Sequence, residues 1–194
     1  MSILFEPVGV GSVSPVTGTG TTQKIFQSSL TAGGAYTLNA LGSNRLNGKK
    51  FGVRMSGNAI GPTASTTLQL QLLCLVPGQS VVIVAQSTAR TLATNVYEPW
   101  TLEAEFIADG YYALLANGQW SSTLTGSQLL TGQFKDTIGA STPAIDAPAI
   151  LTNSVSTGLN MNAEPPLQFT AAVLFGTSNA VNIANLLEFV GFGD

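Results

Sequence analysis

Apolar residues recur at every second position in several stretches of this 194-residue chain. Leu68, Leu70 and Leu72 lie on one side of such a stretch, with glutamines between them. Trp100 to Ile107 and Leu167 to Phe175 repeat the pattern. A period of two puts alternate side chains on opposite faces of a β-strand, so each stretch predicts a strand with one face in a core.

Turn signals separate these predicted strands. Pro77-Gly78 predicts a turn, and Asn117-Gly118 predicts a β-hairpin. About eight short strands at this spacing indicate an all-β, antiparallel β-sandwich. We prefer a jelly roll, and an immunoglobulin-like sandwich is the alternative. Residues 137–163 carry no clear pattern and are predicted to form a long loop region with weak strands.

The last segment fits two patterns. Ala180, Ile183, Ala184 and Leu187 have helical spacing, whereas Ile183, Asn185, Leu187 and Phe189 have strand spacing. We predict a strand from about Ala184 to Phe192, because a short loop after the preceding strand would produce a closing antiparallel hairpin.

We predict two regions in the chain. Residues 1–23 form an extended N-terminal arm, since no strand or helix period continues through them. Residues 24–194 form a single sandwich domain. The expected contact residues are apolar side chains of the arm and two aromatic residues farther along, namely Ile3, Leu4, Phe5, Val8, Tyr112 and Trp120.

Charged residues make up only 9% of the chain, against about 25% in typical domains. A surface with few charges is poorly protected from association, so we expect much of it to be buried against partners. The net charge of −3 disfavours a nucleic-acid partner. Residues 1–96 hold six of the seven basic residues, and residues 97–194 hold nine of the ten acidic ones. The two sets either neutralise each other in one domain or orient faces in an assembly.

The chain contains no histidine. Ser-His-Asp and Cys-His machinery and most catalytic zinc sites are therefore excluded. We expect a non-enzyme with no catalytic residue, cofactor or metal site, and we expect Cys74 to be a buried core thiol.

A glycoside hydrolase is a weaker alternative. Glu103 and Glu105 would lie about 6–7 Å apart on one strand face, a separation that suits a glycosidase pair. In the opposing interpretation, the two glutamates lie on a solvated polar strand face or pair with Lys49, Lys50 or Arg54 on another strand.

Aromatic residues cluster in one part of the sequence, at Tyr97, Trp100, Tyr111, Tyr112 and Trp120. Exposed rings could stack on a sugar, whereas Trp100 alternates with apolar residues and is expected in the core. The chain has no signal-peptide pattern and no apolar run near the roughly 18 residues of a membrane helix, so we expect synthesis in a cytoplasm and no membrane partner.

Several segments together resemble a known family. They are Phe51–Ala59, Thr66–Leu70, Trp100–Ala104, Pro166–Thr170 and Leu187–Phe189. Their order, over roughly residues 45–192, resembles capsid decoration (cement) proteins of tailed bacteriophages. The resemblance implies a jelly-roll-like domain, often a homotrimer, on the capsid surface of the virion, bound to the major capsid protein. A receptor- or carbohydrate-binding head of a tail fibre or spike is the alternative function.

Overall fold

A computed structural model describes residues 13–18, 23–28, 37–39, 50–75, 81–109, 113–114, 120–121, 129–139, 144–150 and 168–193. Every regular element in these ranges is a β-strand. In chain order the strands are β1 Val13–Ser14, β2 Val16–Thr17, β3 Lys24–Ile25, β4 Gln27–Ser28, β5 Thr37–Asn39, β6 Lys50–Ile60, β7 Thr67–Leu75, β8 Val82–Gln86, β9 Arg90–Thr91, β10 Glu98–Asp109, β11 Ala113–Leu114, β12 Trp120–Ser121, β13 Leu129–Ile138, β14 Ala144–Ile150, β15 Gln168–Phe175 and β16 Ile183–Gly193.

Most of these strands belong to two six-stranded sheets, and the strands paired within each sheet run antiparallel. The first sheet has the order β14-β13-β10-β6-β16-β2. The second sheet has the order β3-β15-β7-β8, with β5 also paired to β15 and β9 also paired to β7. The two sheets pack against each other, which confirms the predicted all-β, antiparallel sandwich.

The core lies between the two sheets and is built by the alternating strands. One face of each strand is apolar, and burying that face is the main favourable contribution to folding. The first sheet contributes Val53, Met55, Trp100 and Leu102, and the second contributes Leu68, Leu70, Phe169 and Ala171. Trp100 also packs against Phe26, with 6.1 Å between the ring centroids. The predicted core position of Trp100 is confirmed.

The central strand of the second sheet is β7, as its composition predicts. It pairs with β15 on one side and with β8 and β9 on the other. Its neighbouring residues Leu72 and Leu73 point to opposite faces, and both are fully buried. A strand buried on both faces needs a continuous apolar run, which is what the second half of β7 supplies.

The C-terminal segment is the strand β16, so the strand prediction is confirmed. β16 runs antiparallel to β6, and the register shifts between Leu186 and Glu188. This β-bulge adds Leu187 to one strand without a partner opposite it. Ala184, Leu186 and Phe189 are buried in the core, while Leu187 is 71% exposed. The strand pattern predicted Leu187 and Phe189 on the same face, and the bulge places them on opposite faces.

The region after residue 129 contains more strand than the sequence pattern indicates. β13 pairs with β10 over ten residues, and β14 pairs with β13, with one irregularity between Gly132 and Phe134. β14 Ala144–Ile150 lies within region 137–163, where a loop with weak strands was predicted, and it is a seven-residue strand of the first sheet. The predicted hairpin around Asn117-Gly118 agrees with the pairing of β11 and β12, although its turn lies outside the described residues.

The predicted arm contains two short strands. β1 pairs with β4, and β2 pairs with β16 at the edge of the first sheet. Residues 1–12 lie outside the described part of the chain. Within the described ranges, no helix is long and apolar enough to cross a membrane.

Cys74 is a buried free thiol on β7, as predicted. Burial raises the pKa of this thiol from 9.0 to about 12, because a thiolate loses its hydration in an apolar core. At pH 8 we therefore expect a thiol reagent such as DTNB to label Cys74 only when the chain unfolds. Labelling of the native protein at the rate of the urea-unfolded chain would contradict this.

The same pKa shift predicts a loss of stability at alkaline pH. Above pH 9.0 Cys74 ionises in the unfolded chain but stays protonated in the folded one until about pH 12. The contribution of the Cys74 thiol to the free energy of unfolding is fully present below pH 9.0 and is lost as the pH rises through about 12. A Cys74→Ala variant should show a shallower fall in the free energy of unfolding over this range, measured by urea titration at each pH.

Candidate functional site

The contact residues predicted from the sequence fall largely outside the described part of the chain. Trp120 begins β12, where it is the register partner of Leu114, and nothing further is described of its side chain. The other five stay predictions that lie outside the described residues, namely Ile3, Leu4, Phe5, Val8 and Tyr112.

The predicted carboxylate pair lies on the outer face of the first sheet. Glu103 and Glu105 alternate with buried Leu102 and Ala104 on β10, and both glutamates are half-buried. The register places Glu103 directly between Arg54 on β6 and Lys135 on β13. Directly opposite residues have Cβ atoms about 4.5–5.5 Å apart, so cross-strand opposite charges stabilise the sheet. This arrangement fits the interpretation in which Arg54 is a partner of the pair.

A row of alternating charges crosses the first sheet here, displaced by two residues along the strands at its β16 end, and we call it the charge row. It consists of Glu188 on β16, Arg54 on β6, Glu103 on β10 and Lys135 on β13. Glu188 lies opposite Ser56 in the register, and its carboxylate reaches Arg54, whose Nη2 lies 3.2 Å from Glu188 Oε1. Ser56 Oγ donates a hydrogen bond of 3.3 Å to Glu188 Oε2. The charge row brings together four strands that are far apart in the sequence.

A second ion pair joins the two sheets at one edge of the core. Arg90 on β9 of the second sheet places Nη2 3.1 Å from Asp136 Oδ1 on β13 of the first sheet. The Asp136 side chain is fully buried and that of Arg90 is 25% exposed. Among the described residues, no group hydrogen-bonds to Asp136 Oδ2 or Arg90 Nε. A buried carboxylate with so few partners depends strongly on its one cation.

Both ion pairs join a basic residue of the first half of the chain to an acidic residue of the second half. Arg54 contacts Glu188, and Arg90 contacts Asp136. The uneven distribution of charge along the sequence is thus neutralised, at these two places, by interleaving of the halves in one domain. From the sequence alone, two alternatives were open: neutralisation of the charges within one domain, or orientation of faces in an assembly.

Three loops meet at one end of the sandwich, which we call the loop end. They span residues 61–66, 92–97 and 176–182. The Leu92 amide donates to the carbonyl of Thr66 over 2.9 Å, and the Asn95 amide donates to the carbonyl of Gly61 over 2.8 Å. The Thr177 hydroxyl lies 3.4 Å from that of Thr66. Asn95 has a φ of 57°, in the left-handed region that asparagine tolerates better than most residues.

The loop end exposes large apolar side chains. Val96 and Val181 are each 54% exposed, and Tyr97 is 52% exposed. A single exposed apolar residue is ordinary, whereas three at one end of the domain make the loop end a candidate contact surface. Tyr97 is the one member of the predicted aromatic cluster that the described residues place in solvent, because Trp100 is in the core. Sequence pattern missed Val96 and Val181 because loops carry no periodicity.

The described residues contain no group of three or more His, Cys, Asp or Glu side chains that could hold a metal ion.

Comparison with known proteins adds no relative: no family model, no curated protein and no solved structure matches the chain.

Proposed function

We propose that this protein is a structural component of a virus particle that binds the outer face of the capsid as a decoration, or cement, protein. The observation that carries the proposal is the loop end, where Val96, Tyr97 and Val181 project from a sandwich in a chain with only 9% charged residues. Exposed aromatic and aliphatic side chains on a weakly charged surface favour burial against another protein. The partner in this proposal is the major capsid protein.

We propose further that the sandwich is wound as a jelly roll, and the path of the chain between the two sheets supports this. The chain passes from β2 in the first sheet to β3 and β5 in the second, returns to β6, and crosses again to β7. It stays in the second sheet for β8 and β9, enters the first for β10, and ends by crossing to β15 and back to β16. Jelly rolls, an architecture that viral capsid domains use, cross repeatedly between two antiparallel sheets in this way, as other Greek-key sandwiches also do.

The arm completes the proposed attachment. Ile3, Leu4, Phe5 and Val8 would pack on the shell or on a neighbouring copy, and Tyr112 and Trp120 would add to that contact. Self-association into a homotrimer follows from the family resemblance and belongs to the same proposal.

The alternative is a receptor- or carbohydrate-binding head of a tail fibre or spike. Exposed Tyr97 at the loop end favours it, because an aromatic ring can stack on a sugar. A glycan array with wild-type protein and Tyr97→Ala tests this candidate, and specific binding that Tyr97→Ala abolishes would support it over the capsid proposal.

Immunogold labelling of purified virions tests the two locations. We expect label distributed over the capsid faces. Label confined to the tail would support the alternative, and virions without the protein would contradict both proposals.

Capsid binding tests the role of the loop end. Added to shells that lack the protein, Tyr97→Asp should bind at least about tenfold more weakly than wild type, since buried aromatic residues dominate interface energies. Val81→Asp is the matched control, because Val81 is 44% exposed and lies just before β8, away from the loop end. Equal weakening by both variants would contradict a contact through the loop end.

A further inference from the structure

The charge row has a regular order of signs. From β16 to β13 it runs Glu188, Arg54, Glu103 and Lys135, which alternates negative and positive. Neighbouring strands lie about 4.8 Å apart, so the strands at the two ends of the row are about 14 Å apart. Arg54 and Glu188 are exposed by 46% and 40%, and Lys135 is also exposed. The row is therefore most accessible to another molecule at Glu188, Arg54 and Lys135, while Glu103 is half-buried.

This order of signs is complementary to a copy of itself. A two-fold axis that lies in the plane of the contact, parallel to the strands and between β6 and β10, places β16 of one copy over β13 of the other. Arg54 then faces the partner's Glu103 directly. Glu188 lies two residues farther along the strands, opposite Ser56, which is about 7 Å from the level of the partner's Lys135 and within reach of its long side chain. Each of the four charges meets one of opposite sign. A two-fold axis perpendicular to the strands would instead place each charged residue over the same residue of the other chain, and these like charges would repel each other.

The same face offers apolar area beside the charges. Leu187, added by the β-bulge, lies next to Glu188 and is 71% exposed. Farther along β16, Phe192 is 37% exposed and its ring lies over Gly52, where a Cβ atom would collide with it. Apolar burial supplies affinity in such contacts, whereas charge complementarity sets orientation and excludes wrong arrangements.

We propose that the outer face of the first sheet binds a second copy of this chain, face to face, through the charge row and about a two-fold axis parallel to the strands. The contact is isologous, so each cross-pair occurs twice. Face-to-face sheets pack with their strands within about 30° of each other, which keeps the two rows in register. This interface is independent of the capsid proposal and differs from the three-fold contact that the family resemblance implies.

Charge reversal tests the proposal. Lys135→Glu would place an acidic side chain against the partner's Glu188, and Glu188→Lys would place a basic side chain against the partner's Lys135. Each repulsive contact occurs twice in the dimer, so we expect each variant alone to raise the dimer Kd by about tenfold or more, measured by sedimentation velocity. Lys24→Glu, on β3 of the second sheet, makes the same change of charge and should leave the Kd unchanged. Circular dichroism and thermal melts check that each variant folds.

Mixing the two variants gives the decisive result. In a mixed dimer, the acidic side chain introduced by Lys135→Glu in one copy faces the basic side chain introduced by Glu188→Lys in the other. The unchanged Glu188 of the first copy faces the unchanged Lys135 of the second. We therefore expect an equimolar mixture of the two variants to recover the wild-type Kd. Residues 135 and 188 of one chain lie on strands about 14 Å apart, too far to pair with each other. Recovery of the wild-type Kd on mixing would therefore show that these side chains meet across the interface between two copies.

A chain that stays monomeric at the highest concentration reached in these measurements would overturn the proposal. So would a dimer or trimer that is insensitive to Lys135→Glu, or a mixture of the two variants that associates no better than either variant alone.

Discussion

Replacing Arg90 with methionine should lower the free energy of unfolding by about 3–5 kcal/mol, although the side chain is partly exposed. Arg90 is the cation that faces Asp136, and the Asp136 carboxylate is fully buried. Methionine keeps much of the arginine stem but leaves the carboxylate without its charge partner. A buried charge that loses its partner keeps its full desolvation cost. Urea unfolding followed by circular dichroism at pH 7 measures the change.

Two further variants separate this cause from ordinary side-chain loss. Arg54→Met breaks the exposed pair with Glu188 and should cost less than about 1 kcal/mol, as exposed ion pairs usually do. The double variant Arg90→Met with Asp136→Leu removes both charges and should recover most of the lost stability. An Arg90→Met variant no less stable than Arg54→Met would show that the pair across the two sheets is unimportant.

Replacing Trp100 with alanine should cost a similar amount, about 3–5 kcal/mol, for a different reason. Trp100 is among the largest fully buried side chains and packs against Phe26 in the centre of the sandwich. Its ring also lies against Gly57, where a Cβ atom would collide with the indole and with the backbone carbonyl of Asn185. Alanine would leave a cavity bounded by both sheets. The midpoint of urea unfolding measures the loss.

Trp100→Phe is the informative companion variant. Phenylalanine keeps a ring against Phe26 and removes the indole Nε1, which has no hydrogen-bond partner among the described residues. An unmatched buried donor costs about 1–3 kcal/mol, so its removal offsets part of the lost packing. We expect Trp100→Phe to cost about 1 kcal/mol. Equal losses for the alanine and phenylalanine variants would contradict this account of the indole nitrogen.

The main core strands are predictable from the sequence because burial imposes a period of two on them. β7, β10 and β15 each alternate between core-facing apolar residues and the opposite face, and the structure places them as that pattern indicates. β13 is harder to predict, since its inward-facing Asp136 breaks the apolar alternation. The partner of Asp136 lies 46 residues earlier in the sequence, so no local pattern identifies it.

The candidate surfaces were predictable only in part. The glutamates of β10 could be placed on one strand face, but their neighbours across the sheet could not, because strand order is not encoded in periodicity. The β-bulge in β16 likewise moves Phe189 to the core face, away from the outer face that Leu187 shares with Asn185, because a one-residue shift reverses every later side chain of a strand. The exposed residues of the loop end lie in loops, where position depends on the strands that the loops connect.

The strand content, the apolar core faces and the buried state of Cys74 all follow from local alternation and hydrophobicity, so they can be derived from the amino-acid order alone. Which charges meet depends instead on the folded chain. Arg54 joins Glu188 and Arg90 joins Asp136 because strands distant in the chain become neighbours, either within one sheet or across the core. The alternating charge row is a product of strand order, and strand order depends on the packing of the whole chain.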